Sequence, residues 1–91
     1  MLTLHVASRF RRSFKKMPTR IKEDFGGKID RFKKHPFDLK LGTHKLQGNL
    51  FAYFAFCLRD GFRVLFEFED DNNVLLVNIG SHDDYSKWAR G

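Results

Sequence analysis

Residues 62–69, FRVLFEFE, decide the fold. Phe62, Val64, Phe66 and Phe68 alternate with Arg63, Leu65, Glu67 and Glu69. A period of two is the pattern of a strand with one buried face. Asp60-Gly61 stands just before the run, a dipeptide suited to the positive φ angles of a hairpin turn. Before that turn lies 50–58, LFAYFAFCL, apolar on both faces. After the run, Asp70 to Asn73 reads as a second turn, and 74–79, VLLVNI, as the next strand, ended by Gly80. The expectation is an antiparallel meander followed by a polar tail, SHDDYSKWARG.

Upstream the period changes to that of a helix. Phe10, Phe14 and Met17 fall at i, i+4 and i+7, the stripe of a short amphipathic helix capped by Ser8 and broken by Pro18. Thr19 is placed to cap a second helix with the stripe Ile21, Phe25, Ile29 and Phe32, ending before Pro36. Gly26-Gly27 sits off that stripe and costs about 1 kcal/mol per residue. Helices joined this tightly are antiparallel neighbours. Leu2, Leu4 and Val6 alternate with Thr3 and His5, so the chain opens with a strand. The expected class is α+β. An N-terminal strand and a helical hairpin pack on one face of a mainly antiparallel sheet, leaving the other face open.

Composition bounds the rest. Ninety-one residues make one domain spanning 1–91, and eleven Phe with 42% hydrophobic residues supply its core. A single Cys excludes an intrachain disulfide framework and cysteine-rich zinc sites. No apolar run approaches roughly 18 residues, and the N-terminus lacks the pattern of a secretion signal, so a cytoplasmic protein with no membrane contact is expected. The net charge of +6 is uneven. Residues 1–49 hold 13 Lys and Arg against 4 Asp and Glu, or +9, and residues 50–91 hold 4 against 7, or −3. A basic half suits a polyanion such as RNA, and equally a solvated helical face.

The residues able to carry chemistry gather around the meander: His44, Lys45, Tyr53, Arg59, Asp60, Arg63, His82, Asp83, Asp84 and Tyr85. Antiparallel pairing sets the end of the last strand beside the start of the one before it, which brings His82 towards Arg63. His44, His82, Asp83 and Asp84 lack any spacing that preorganises a metal, so no cofactor or metal is expected. Cys57 reads as a core residue. Cleavage of an RNA phosphoester fits the set better. There the ribose 2′-OH is the nucleophile, and the protein supplies a base, an acid and a cation for the phosphorane-like charge. His suits either proton role, Arg suits the phosphate, and Tyr53 and Tyr85 suit base stacking.

The motifs THKLQGNLFAYFAF at 43–56, GFRVLFEF at 61–68 and VLLVNIGSHDDY at 74–85, with the order of elements, resemble the RelE/ParE superfamily of bacterial type II toxins. The nearest group is the RelE/YafQ-like mRNA interferases, and the likeness covers nearly the whole chain. It implies a RelE-like fold and a metal-independent endoribonuclease that cleaves mRNA at the ribosome. It also implies inhibition of translation, and a cognate antitoxin as partner. By position, Arg63 matches the Arg of the family's strand motif at the scissile phosphate, with Phe62 for the usual Tyr. His82 matches the catalytic basic position after the last strand. His44 and Asp60 match a His and an Asp of YafQ-like members, and Tyr85 lies near a C-terminal Tyr. Lys45, Tyr53, Arg59 and Tyr85 are the expected RNA contacts. One departure stands out: a further family His falls about where Phe56 stands. Two other readings remain on the same fold, a ParE-like inhibitor of DNA gyrase and a relative that only binds RNA or an antitoxin.

Overall fold

A computed structural model of the chain describes residues 1–46 and 52–90. In chain order the elements are β1 (Thr3–Val6), α1 (Ser8–Lys15), α2 (Thr19–Lys34), β2 (His44–Lys45), β3 (Phe54–Cys57), β4 (Arg63–Phe68), β5 (Asn73–Gly80) and α3 (His82–Arg90). The sheet runs β1-β5-β4-β3-β2, with β1 parallel to β5 and the other pairs antiparallel. The expected fold class holds.

The alternation of 62–69 survives in three dimensions. Val64 and Phe66 face the helices and are fully buried, while Arg63 and Leu65 face the other way. The turn before β4 uses the dipeptide as expected, with φ of 58° at Asp60 and 78° at Gly61. The strand expected over 50–58 begins only at Phe54, and residues 50 and 51 of that reading lie outside the described residues. At the second turn, Asp70 Oδ1 accepts the N–H groups of Asn72 and Asn73 at 2.8 and 2.9 Å. Turn and carboxylate together fix the register of β4 on β5.

The helical stripes fill the core as their spacing requires. Phe32 of α2 stacks on Phe56 at 4.7 Å and meets Phe66 edge-on at 4.8 Å. Phe10 and Phe14 of α1 close on Phe25 of α2 at 5.6 and 5.3 Å. Each fully buried Phe contributes about 2–3 kcal/mol of transfer free energy, which a short chain needs. Gly26 and Gly27 sit in one continuous helix, exposed and with nothing near their missing Cβ positions. The caps differ from expectation. Ser8 and Thr19 are the first helical residues, and Ala7 and Pro18 precede them without side-chain capping. The Ala7 N–H still bonds Leu76 of β5 at 3.0 Å, so the chain stays extended one residue longer. Pro18 is likewise extended, with a ψ of 150°.

The segment read as a polar tail is α3, which is the main correction. Ser81 and Asp84 cap it reciprocally: the Asp84 N–H donates to Ser81 Oγ at 3.2 Å, and Asp84 Oδ2 accepts the Ser81 N–H at 3.0 Å. Tyr85 and Trp88, three residues apart, share one face of the helix and lie on Leu46, Ala55 and Leu65. The sheet face expected to be open is therefore partly covered. Gly80 makes the approach possible, since a Cβ there would stand 2.7 Å from Asp84 Cβ and 3.0 Å from Trp88 Cζ2.

Candidate functional site

Arg63 begins β4 opposite Gly80, the last residue of β5. The hairpin turn fixes one side of this point and α3 the other. From α3, Tyr85 reaches back over Arg63, whose guanidinium carbon lies 5.4 Å from the ring centroid. The Tyr85 hydroxyl pairs with His44 Nε2 at 2.6 Å, and His44 Nδ1 pairs with the Gly42 carbonyl at 2.9 Å. A carbonyl only accepts, so Nδ1 carries the proton and the Nε2 lone pair receives the phenolic hydrogen. Gly42 adopts a φ of 61°, and a Cβ there would stand 2.9 Å from Cys57 Sγ, so glycine lets the chain turn into β2 and present His44.

The Arg63 guanidinium is only partly hydrogen-bonded. One Nη1 hydrogen bond runs to the Phe62 carbonyl at 3.3 Å, while its Nε is buried with no partner among the described residues. An unmet buried donor costs about 1–3 kcal/mol, more for a charged group, and this one is closed to solvent. His82 opens α3 one turn before Tyr85, exposed, with Gly61 beneath it. A Cβ on Gly61 would lie 3.3 Å from that of His82. The rim thus carries a planar cation, a phenol with its histidine, and an exposed histidine. That set can bind a phosphoester and move protons.

The other expected site residues lie elsewhere. Asp60 accepts from Arg20 Nε at 2.8 Å and has Arg59 at 3.9 Å, so α2 draws it away from the His44–Tyr85–Arg63 cluster. Arg59 is exposed, and its backbone N–H is bound by Asp24 Oδ2 at 2.8 Å. Burial pushes the Asp24 carboxyl up, but that N–H and Lys28, 3.0 Å away, together hold it below the ordinary carboxylate value. Lys45 is exposed beside His44. Tyr53 is half-buried against Leu46 and Ala55, so one ring face is committed to packing. Phe56 is fully buried between Phe32 and Phe66, on the helix-covered side of the sheet. The sequence reading named Asp84 as a chemical candidate and Gly80 as a strand end, but not that they and Ser81 hold α3 in place, although the Ser-x-x-Asp spacing was a legible capping signal.

The surface of α1 is strongly positive. Arg9, Arg11, Arg12 and Lys15 of α1, and Lys16 just after it, are all exposed, and none forms an ion pair among the described residues. A pocket of about 290 Å³ opens between α1 and α3, lined by Lys16, Asn78, Asp84 and Trp88; of the candidate residues only Asp84 reaches it. Asn78 Oδ1 accepts from Ser13 Oγ at 2.7 Å and from the Ile79 N–H at 2.9 Å, which blunts the free edge of β5 beyond β1. Among the described residues no three His, Cys, Asp or Glu side chains cluster as metal ligands do, and no helix is long and apolar enough to cross a membrane.

A helical hairpin over one face of a β1-β5-β4-β3-β2 sheet, with the first strand parallel and a short helix after the last, makes up this fold. Solved structures share it. A chain of the RelBE2 toxin–antitoxin complex from Mycobacterium tuberculosis matches with a TM-score of 0.73 at 21% identity, over 88% of this chain and 96% of that one. The YoeB/ParE toxin from Agrobacterium tumefaciens matches with a TM-score of 0.75 at 14% identity, over 89% and 99%. YafQ from E. coli matches with a TM-score of 0.68 at 11% identity, over 93% and 98%. By sequence, no family model and no curated protein matches the chain.

Proposed function

We propose that this protein is the toxin of a toxin–antitoxin pair, and that it is an endoribonuclease cleaving mRNA at the ribosome without a metal. The observation that carries the reading is the His44–Tyr85–Arg63 cluster, with Arg63 Nε buried and unsatisfied at the rim of a basic surface. The shared fold with toxins and with toxin–antitoxin complexes supports it.

In the reaction, the 2′-oxygen attacks the adjacent phosphorus and loses its proton to a base. The 5′-oxygen leaves with a proton from an acid. The products are a 2′,3′-cyclic phosphate and a 5′-hydroxyl. Arg63 meets the charge that builds on the phosphoryl oxygens through its guanidinium. Tyr85 and His44 form a relay in which Nε2 takes the phenolic proton as the phenolic oxygen takes that of the 2′-OH. His82, exposed one turn away, protonates the leaving oxygen. Lys45 and Arg59 hold flanking phosphates, and Tyr53 offers its free ring edge to a base. Asp60 acts indirectly, by fixing the turn that carries Arg63 into β4.

The test is cleavage of a defined RNA, both free in EDTA and on translating ribosomes in magnesium, with circular dichroism to verify folding. His82→Ala and Arg63→Ala are each expected to lose most cleavage while remaining folded, and the wild type is expected to leave cyclic phosphate ends. Wild-type rates in both variants would reject the site. Inhibition of supercoiling in place of translation would favour a gyrase inhibitor.

A further inference from the structure

The loop between α2 and β2 holds two large apolar side chains in water: Leu39 is 96% exposed and Phe37 56%. The loop is not loose. Asp38 Oδ1 accepts the Lys40 N–H at 2.8 Å, Arg31 Nη1 donates to Asp38 Oδ2 at 3.2 Å, and the Thr43 hydroxyl donates to the Pro36 carbonyl. Phe37 rests on Phe54 at 5.7 Å and on Phe68 at 6.0 Å, so the exposed patch is continuous with the edge of the core. Around it stand Lys33, Lys34 and Lys40, none of them ion-paired among the described residues. Residues 31–40 carry four Lys and Arg against one Asp, a net +3.

A pinned apolar pair inside a basic frame is preorganised for a partner whose own pattern is apolar anchors flanked by carboxylates. We propose that Phe37 and Leu39, framed by Lys33, Lys34 and Lys40, are the docking surface for an acidic amphipathic segment of a partner protein. The partner's identity rests on the reading above, on which it is the antitoxin. A second copy of the chain would bring the same basic frame against itself, and like charges repel. Phe37, on Phe68, is also remote from the Arg63 end of the candidate site, although the same loop runs on to His44. Phe68 and Arg63 end opposite termini of β4, roughly 17 Å apart at 3.4 Å per residue, and point to opposite faces of the sheet. A segment docked here anchors the partner and leaves the rim to be covered by another part of it.

The probe is a synthetic helical peptide of about sixteen residues, with Leu on one stripe and Glu elsewhere, titrated into the isotope-labelled full chain and followed by amide NMR. Chemical-shift changes are expected at residues 33–41. Leu39→Ser and Lys40→Glu, both at exposed positions, are each expected to weaken binding at least tenfold and to leave RNA cleavage unchanged. A scrambled peptide of the same composition controls for charge alone. Equal binding of the scrambled peptide, shifts centred on α1, or full binding by Leu39→Ser would overturn the proposal. So would a dimer abolished by Leu39→Ser, or binding to phosphatidylglycerol vesicles without binding to the peptide. Cleavage and peptide mapping are separate readouts, so an inactive nuclease with a working dock, or the reverse, would be recognised as such.

Discussion

Gly80→Ala tests how α3 is held on the sheet. The added methyl would sit 2.7 Å from Asp84 Cβ, 2.8 Å from Asp84 Oδ2 and 3.0 Å from Trp88 Cζ2. Carbon atoms in contact prefer about 3.5–4.0 Å, so the helix must retreat by about 1 Å. Gly80 ends a strand paired through Arg63, and the backbone beneath cannot yield instead. Overpacking of this kind costs about 1–3 kcal/mol, and disturbing the Ser81–Asp84 cap adds about 0.5–2 kcal/mol. Undocking α3 altogether loses the half-burial of Tyr85 and Trp88, about 1–1.5 kcal/mol each, and the cap with it. Both routes come to about 2–5 kcal/mol, a large share of the roughly 5–14 kcal/mol expected for a domain of this size. The Tm is expected to fall by roughly 10–25 °C. Urea denaturation measures the free energy directly. Trp88, the single tryptophan, reports helix position through a red shift of its emission. RNA cleavage is expected to fall as well, since His82 and Tyr85 ride on the displaced helix. A variant within about 0.5 kcal/mol of wild type, with unshifted emission, would refute the packing argument.

Phe56→His, which restores the residue type of the resembling family, is expected to destabilise by about 2–4 kcal/mol without raising activity, because the imidazole would be buried unpaired between Phe32 and Phe66; a gain of cleavage at unchanged stability would contradict this placement. Tyr85→Phe removes only the hydroxyl that His44 Nε2 accepts, so cleavage is expected to drop at least tenfold with the Arg63 ring contact retained; an unchanged single-turnover rate would exclude the relay. The Asp24 carboxyl is held below 3.8 in the folded chain, so its stabilisation is complete above the unfolded value and lost as pH falls through the folded one. Urea unfolding of wild type and Asp24→Asn should therefore converge in stability from pH 5 downwards, and a gap independent of pH would disprove the assignment. Affinity for single-stranded RNA should fall steeply between about 50 and 200 mM salt, with each phosphate contact adding about −0.7 to the log–log slope. A flat titration would argue against the basic surface of α1.

Much of this molecule is legible in its one-dimensional pattern. The period of two at 62–69, the Asp60-Gly61 turn and the stripes of α1 and α2 are local properties, set by side-chain spacing and backbone preference, and each became the element its pattern implied. Register then followed from the turns, and with it the meeting of the start of β4 and the end of β5. What the pattern left open depended on contacts between residues distant in sequence. His44 and Tyr85 are 41 positions apart, and only the turn at Gly42 together with the docking of α3 brings them to 2.6 Å. Asp60 carries no mark that it will pair with Arg20, 40 positions away, rather than face the rim. Phe56 reads as a strand residue on either face until Phe32 packs against it. The polar composition of 81–91 hid a helix because its few apolar side chains are only Tyr85, Trp88 and Ala89. A stripe so sparse becomes stable when a sheet face stands ready to receive it. Propensity and spacing act along the chain, whereas burial and charge pairing act across space, and the candidate site was decided by the second.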